Sequence, residues 1–237
     1  MNKERILGVT VSDLNYDDLE SRVASDIAED RKSFIVAINP EKILKARRDK
    51  ELFDLLEKAD YPIADGIGVV LASRIKKGNI KSRVTGIETM DELCRLSRDN
   101  GYRIFLYGAK EESVTGAEAA LKKKFPGIVI AGHINGYEKD NNKITEKINA
   151  GNADIIFVAL GSPCQEKWII NNMDKLCCKV FMGVGGSFDV YSGMVKRAPE
   201  RLRKMGLEWL YRLIKEPKRL FRQIKLLKFI ILVILSK

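Results

Sequence analysis

Tyr61-Pro62-Ile63-Ala64-Asp65-Gly66-Ile67-Gly68-Val69-Val70 is the stretch from which the fold can be read. A short apolar run carries the chain to a single carboxylate. Glycines follow at 66 and 68, and a periodic apolar segment continues through Leu71, Ala72 and Ile75. A strand that ends in a turn and hands over to a helix is the repeating unit of an α/β sheet. The turn between them is where such sheets present reactive side chains. Asp65 then lies where the amides of a helix start converge and anions are welcome. Two readings of it stand at this point. It caps the helix, for which Asp is a favoured residue, or it is a catalytic carboxylate.

The same alternation extends in both directions. Strand-like runs fall at 6–11, 33–38, 103–107, 128–131, 154–160 and 179–184, and helical periodicity at 17–29, 40–58, 89–100, 111–124, 142–149 and 165–173. The runs are apolar throughout rather than alternating in polarity, as in strands buried on both faces. Together they predict an α/β fold: a Rossmann-like, mostly parallel sheet with helices on both faces. Ligands of such sheets sit beyond the carboxyl ends of the strands. The residues placed there are Asn39, Asp65, Gly108, Gly132, the segment 161–165 and the segment 185–189. Many are glycines, which let the backbone turn sharply or a ligand approach closely. A nucleotide-bearing substrate fits this pattern. A dinucleotide fingerprint and a P-loop do not occur, since Gly183-Val184-Gly185-Gly186 lacks the required spacing.

Composition narrows the chemistry. The chain has one histidine, His133, which argues against a zinc site or a Ser-His-Asp triad and leaves a carboxylate as the better general base. Cys94, Cys164, Cys177 and Cys178 form no Cys-x-x-Cys pair and read as reduced thiols of a cytosolic protein. The start, Met1-Asn2-Lys3-Glu4-Arg5, lacks the apolar core of a leader. No Asp-x-Asp pair occurs, so a metal-bridged diphosphate is not expected and basic groups must balance phosphate charge.

The net charge of +10 is localised. Residues 196–237 hold 13 Lys and Arg against three acids, while the first 195 residues hold 29 of each sign. The chain therefore reads as a neutral domain, 1–195, followed by a basic helical appendage, 196–237. Segment 208–214 is amphipathic and aromatic-rich, Pro217 interrupts it, and a second helix is expected over 218–235. Its apolar end, 229–235, is far shorter than the ~20 residues of a membrane span. A basic amphipathic helix lying in the interface of an anionic membrane surface is the better reading, with packing on the domain or on another subunit as the alternative. No nucleic-acid reading motif accompanies the charge, so nucleic acid is excluded as the expected partner. Apolar tail faces make a homo-oligomer an option where no membrane is present.

Ile38-Asn39-Pro40-Glu41, Ala64-Asp65-Gly66-Ile67-Gly68, Arg83-Val84-Thr85-Gly86, Leu106-Tyr107-Gly108, Gly161-Ser162-Pro163-Cys164-Gln165-Glu166-Lys167-Trp168, Gly183-Val184-Gly185-Gly186-Ser187-Phe188-Asp189 and Arg197-Ala198-Pro199 occur in this order along essentially the whole chain. Jointly they resemble the WecG/TagA/CpsF family of bacterial glycosyltransferases. The resemblance implies transfer of an N-acetylhexosamine or hexosaminuronate from a UDP-sugar to a sugar on a polyprenyl diphosphate. In the branch that makes the wall teichoic acid linkage unit, the donor is UDP-N-acetylmannosamine and the acceptor undecaprenyl-diphosphate-GlcNAc. No cofactor is implied, because the UDP-sugar is a substrate. The implied location is the cytoplasmic, inner face of the cell membrane. Family members usually carry Thr or Ser two residues before the Asn of the first motif, where this chain has Ala37.

Within that framework Asp65 is the expected general base and Asn39 orients a substrate hydroxyl or acetamido group. Arg83 is the candidate phosphate contact, and Thr85 and Gly86 shape the donor pocket. Gln165, Glu166 and Asp189 are candidate uridine and ribose ligands, with Gly108, Gly161, Gly185 and Gly186 at the ligand-facing turns. Arg212, Arg219 and Arg222 of the tail are expected to clamp the acceptor diphosphate.

Overall fold

The structure, a computed structural model, describes residues 1–199 and 220–236. The elements run β1 (Lys3–Ile6), β2 (Val9–Ser12), α1 (Tyr16–Ala28), β3 (Ser33–Ile38), α2 (Pro40–Ala46), α3 (Lys50–Glu57), β4 (Tyr61–Ala64), α4 (Ile67–Ile75), α5 (Gly86–Asn100), β5 (Arg103–Gly108), α6 (Glu111–Lys124), β6 (Val129–Ile134), α7 (Asn141–Ala150), β7 (Ile155–Ala159), α8 (Cys164–Asn172), β8 (Val180–Gly183), α9 (Ser187–Tyr191) and α10 (Leu220–Leu235). Among the described residues, six strands form one sheet in the order β4-β3-β8-β7-β5-β6, and every pairing in it is parallel.

The apolar strands are two-sided because both faces are covered. Phe34, Val36 and Ile38 of β3 enter one core with α2, α3, α4, α7, α8 and α10. Ile35, between them, enters the other with α1, α5, α6 and α9. The single strand expected over 6–11 is instead the β1–β2 hairpin, paired antiparallel as a separate ribbon. Leu7 and Gly8 take positive φ, 50° and 93°, and form its two-residue turn. A leucine there gives no turn signal of the Asn-Gly kind. The helix expected over 40–58 is two helices. Asp49 breaks the run by accepting a hydrogen bond from Leu52 N, which caps α3.

The tail stretch 208–214, with Arg212, lies outside the described residues, as does Arg219. Helix α10 is described and packs on α2 and α4. Its Phe229 and Val233 are fully buried in the domain's core, and Lys225 Nζ is 3.2 Å from Glu41 Oε1. Arg222 is on this helix, one turn before Lys225, with its side chain outside the described set.

Gly108 stands where β5 runs closely against β7. Gly108 has φ +113°, and a Cβ there would stand 2.5 Å from the carbonyl oxygen of Ala159. Gly108→Ala therefore combines a left-handed penalty of about 1–2 kcal/mol with an overpacking penalty of about 1–3 kcal/mol. Urea unfolding should show a loss in that combined range. Gly66→Ala, with φ +96° and no described residue within 4 Å of its Cβ position, should show the conformational part alone.

Candidate active site

The carboxyl ends of the six parallel strands lie along one edge of the sheet. After β3 the chain leaves to α2, on one face of the sheet. After β8 it leaves to α9, on the other, and after β7 to α8, on the first again. Departures to opposite faces open the space in which such sheets bind ligands. Ile38 pairs with Ala64, so Asn39 and Asp65 are the next residues on adjacent parallel strands.

The two readings of Asp65 now separate. Gly66, not Asp65, holds the N-cap position of α4, and no side chain caps that helix. The Asp65 amide is fixed by donating to Ile38 O at 2.8 Å, and Val84 N donates to Ala64 O at 2.8 Å. The turn thus holds a half-exposed carboxylate in place without using it as a cap. Asn39 and Thr85 do cap. Asn39 Oδ1 accepts from Lys42 N at 2.9 Å, and Thr85 is the N-cap of α5. Gly66, Gly161 and Gly185 all take positive φ, with no described residue within 4 Å of where a Cβ would stand. The turns after β4, β7 and β8 therefore leave open space on their glycine side.

Two polar networks, both unread in the sequence, brace this floor. In the first, Lys42 Nζ on α2 is 2.7 Å from Glu166 Oε1 on α8, and Gln165 Nε2 donates to the same oxygen at 3.2 Å. Gln165 Oε1 accepts from Gly185 N at 3.0 Å. Glu166 is fully buried, so it acts through Lys42 and Gln165 on the position of the β8 turn. Asp189 is held similarly, its Oδ1 accepting from Ser113 Oγ at 2.6 Å while Oδ2 lies 3.8 Å from the Cβ position of Gly186.

The second network centres on Glu88. Its Oε2 accepts from Thr85 Oγ1 at 2.8 Å and from Tyr16 OH at 2.9 Å, and Tyr16 OH accepts from Thr85 N at 2.9 Å. This is a capping box with a tyrosine hydroxyl inserted between Glu and the cap amide. Thr85-Gly86-Ile87-Glu88 carries the Thr-x-x-Glu signature, which was the signal available in the sequence. Arg197 Nη2 reaches Glu88 Oε1 at 3.4 Å, and the charge of Arg83 also acts on Glu88. The site therefore gathers two guanidinium groups beside the α5 N-terminus. Ala37 Cβ is 3.4 Å from where a Cβ on Gly86 would stand, so a side chain at 37 faces the start of the same helix.

Burial alone would raise the Glu88 pKa. The hydrogen bonds from Thr85 and Tyr16 and the charges of Arg83 and Arg197 outweigh it and hold the carboxyl below its usual value of 4.5. A depressed carboxyl pKa contributes stability that is complete above the unfolded value and lost as pH falls through the folded one. Glu88→Gln should therefore be less stable than the parent at neutral pH. The gap should close progressively below about pH 4.5, as followed by thermal melts across that range.

Among the described residues no group of three His, Cys, Asp or Glu is arranged to hold a metal ion, and no helix is long and apolar enough to cross a membrane.

The sheet is parallel and α/β, with the Asp65 carboxylate at a strand end and the charges of Arg83 and Arg197 beside Glu88. Residues 4–237 match the model of the glycosyl transferase WecG/TagA/CpsF family. The chain belongs to that family and is a glycosyltransferase. It is 40% identical over 200 residues to the N-acetylglucosaminyldiphosphoundecaprenol N-acetyl-beta-D-mannosaminyltransferase of Bacillus subtilis (strain 168), covering 84% of this chain and 78% of that protein. The enzymes of the same name from Staphylococcus aureus (strain MW2) and Bacillus spizizenii are 39% and 38% identical. These matches cover 80% and 85% of this chain, and 74% and 79% of the relatives.

Proposed function

We propose that this chain transfers N-acetylmannosamine from UDP-N-acetylmannosamine to GlcNAc-diphospho-undecaprenol, forming the wall teichoic acid linkage unit with inversion at the anomeric carbon. The relatives' shared name supports the acceptor and the sugar moved. The observation that carries the chemistry is the Asp65 turn, which sets a carboxylate at a strand end without spending it on the helix. In the proposed step the acceptor hydroxyl oxygen attacks the anomeric carbon of the donor. The bond from that carbon to the diphosphate breaks, UDP departs with the electron pair, and the hydroxyl proton passes to Asp65.

Asn39 keeps its side-chain amide N–H groups for a substrate oxygen while its Oδ1 caps α2. Arg83, with Arg197 beside it, meets phosphate charge in the place of a metal. The open turns at Gly161 and Gly185 admit the nucleotide, and Gln165 and Asp189 fix the β8 turn against it. Arg212, Arg219 and Arg222 complete the acceptor's diphosphate site from the tail. Lys225 and Leu226 of α10 lie beside Glu41 and Gly68, in the first turns of α2 and α4 that follow Asn39 and Asp65, which supports that assignment. The same tail holds the enzyme peripherally on the inner face of the membrane.

The test is a donor screen with a polyprenyl-diphosphate-GlcNAc acceptor and radiolabelled UDP-sugars. UDP-N-acetylmannosamine should label the lipid product at least tenfold faster than UDP-N-acetylglucosamine or a UDP-hexosaminuronate. Equal or preferred use of another donor sinks the assignment.

A further inference from the structure

Helix α4 begins two residues after Asp65, and its outward side is apolar. Ile67, Leu71 and Ile75, at spacings of four, are all exposed, Leu71 by 41% and Ile75 by 43%. The opposite side, with Gly68, Val69 and Ala72, is buried. Helix α10 repeats this arrangement. Phe229 and Val233 are buried, while Leu227, Ile231, Ile234 and Leu235 are exposed, Ile231 by 55%. The two helices touch, since Leu226 Cδ1 lies 2.8 Å from where a Cβ on Gly68 would stand. Two adjacent helices thus turn apolar stripes outward. Exposed apolar stripes on neighbouring helices of this kind mark a docking surface.

Charge identifies what docks. Neither α4 nor α10 contains an acidic residue. Arg74, Lys76 and Lys77 are exposed at the end of α4, and Lys225 and Lys228 are exposed on α10. A second copy seated across a two-fold axis would set these cations against their own equivalents, which disfavours that occupant. The headgroups and acyl chains of an anionic bilayer satisfy both the cations and the stripes. At nine and 16 residues the helices are too short to span, for which ~20 are needed, and would lie flat.

We propose that the α4 stripe, with that of α10, is the lipid-contacting surface, so that membrane contact is built into the catalytic body and not only the tail. This rests on the peripheral-membrane part of the function proposed above and extends it to a helix of the body. It sets the mouth at Asp65 against the bilayer surface, where a lipid-linked diphosphate sugar emerges.

The test uses the full chain and sedimentation with vesicles of phosphatidylglycerol and phosphatidylcholine. The variant is Leu71→Ser/Ile75→Ser, which spares Ile67 because it adjoins Asp65. Vesicle partition should fall about tenfold or more, given the apolar burial these two side chains forfeit. The melting temperature and turnover on a short-chain soluble acceptor should stay within about 2 °C and twofold of the parent. Lys76→Gln/Lys77→Gln should weaken binding to anionic vesicles and leave the weak binding to pure phosphatidylcholine unchanged. Partition within threefold of the parent for the serine variant overturns the proposal. So does a change from dimer to monomer by light scattering, which would make a second copy the occupant. A parent that partitions in this stripe-dependent way yet transfers no sugar would leave the surface standing and sink only the assigned chemistry.

Discussion

Asp65→Asn should lower turnover by about 10²–10⁴-fold, the usual cost of losing a general base. Asparagine keeps the size and shape of the side chain and removes its charge and its capacity to take a proton. The backbone of the turn is held by main-chain bonds, Asp65 N to Ile38 O and Val84 N to Ala64 O, which the substitution does not touch. Gly66 holds the N-cap position of α4 without a side-chain bond, so no cap is lost either. The KM values for donor and acceptor should move less than about threefold. A fall in kcat without a rise in KM is the signature of an interaction made in the transition state. Radiolabel transfer from the UDP-sugar to a soluble diphosphate acceptor measures it. Turnover within threefold of the parent would remove Asp65 from the role of base.

The contrast with Asn39 and Thr85 sharpens that expectation. Asn39 and Asp65 stand at strand ends ahead of helices and Thr85 ends the loop that enters α5, and all three residue types are favoured caps. Asn39 and Thr85 are caps, whereas Asp65 is displaced by one residue because Gly66 takes the cap position with φ +96°. A one-residue offset is invisible to propensity and decisive in geometry. Elsewhere the local signals were sufficient. Continuous apolar runs such as 33–38 and 154–160 read as strands buried on both faces, and β3 and β7 are such strands. Gly101 ends α5 in the left-handed conformation, as a glycine after the last helical residue favours.

What stayed hidden depends on residues far apart in the chain. The apolar end of the tail could be read as membrane-facing or as protein-facing. Phe229 and Val233 face the core while Ile231 and Leu235 face outward, and a helix apolar on every side carries no mark of which stripe meets which partner. Arg197 meets Glu88 across 109 residues of chain, and no local pattern announces the pair. The hairpin at Leu7-Gly8 escaped for a different reason, since its turn puts a leucine where the backbone needs a left-handed residue.

Lys42→Met should cost about 3–5 kcal/mol of stability, the range for removing one partner of a buried pair. Lys42 lies 2.7 Å from Glu166, with side chains 10% and 0% exposed. Without the ammonium, Glu166 retains only the hydrogen bond from Gln165 Nε2, and its Oε2 has no hydrogen-bond partner among the described residues. A fall of roughly 6–20 °C in Tm follows at about 2–4 °C per kcal/mol for a chain of this size. The double variant Lys42→Met/Glu166→Gln should recover most of the loss, because it buries no unpaired charge and a glutamine can still accept from Gln165. The pair also joins two walls of the crevice, α2 beside Asn39 and α8 beside the Gln165–Gly185 contact. Restored stability should therefore not restore full activity: the double variant should keep a raised KM for the UDP-sugar, because the β8 turn is no longer tied to α2. A single variant that unfolds within 1 kcal/mol of the parent would show that Glu166 finds another partner. A double variant with both stability and KM restored would make the pair structural alone.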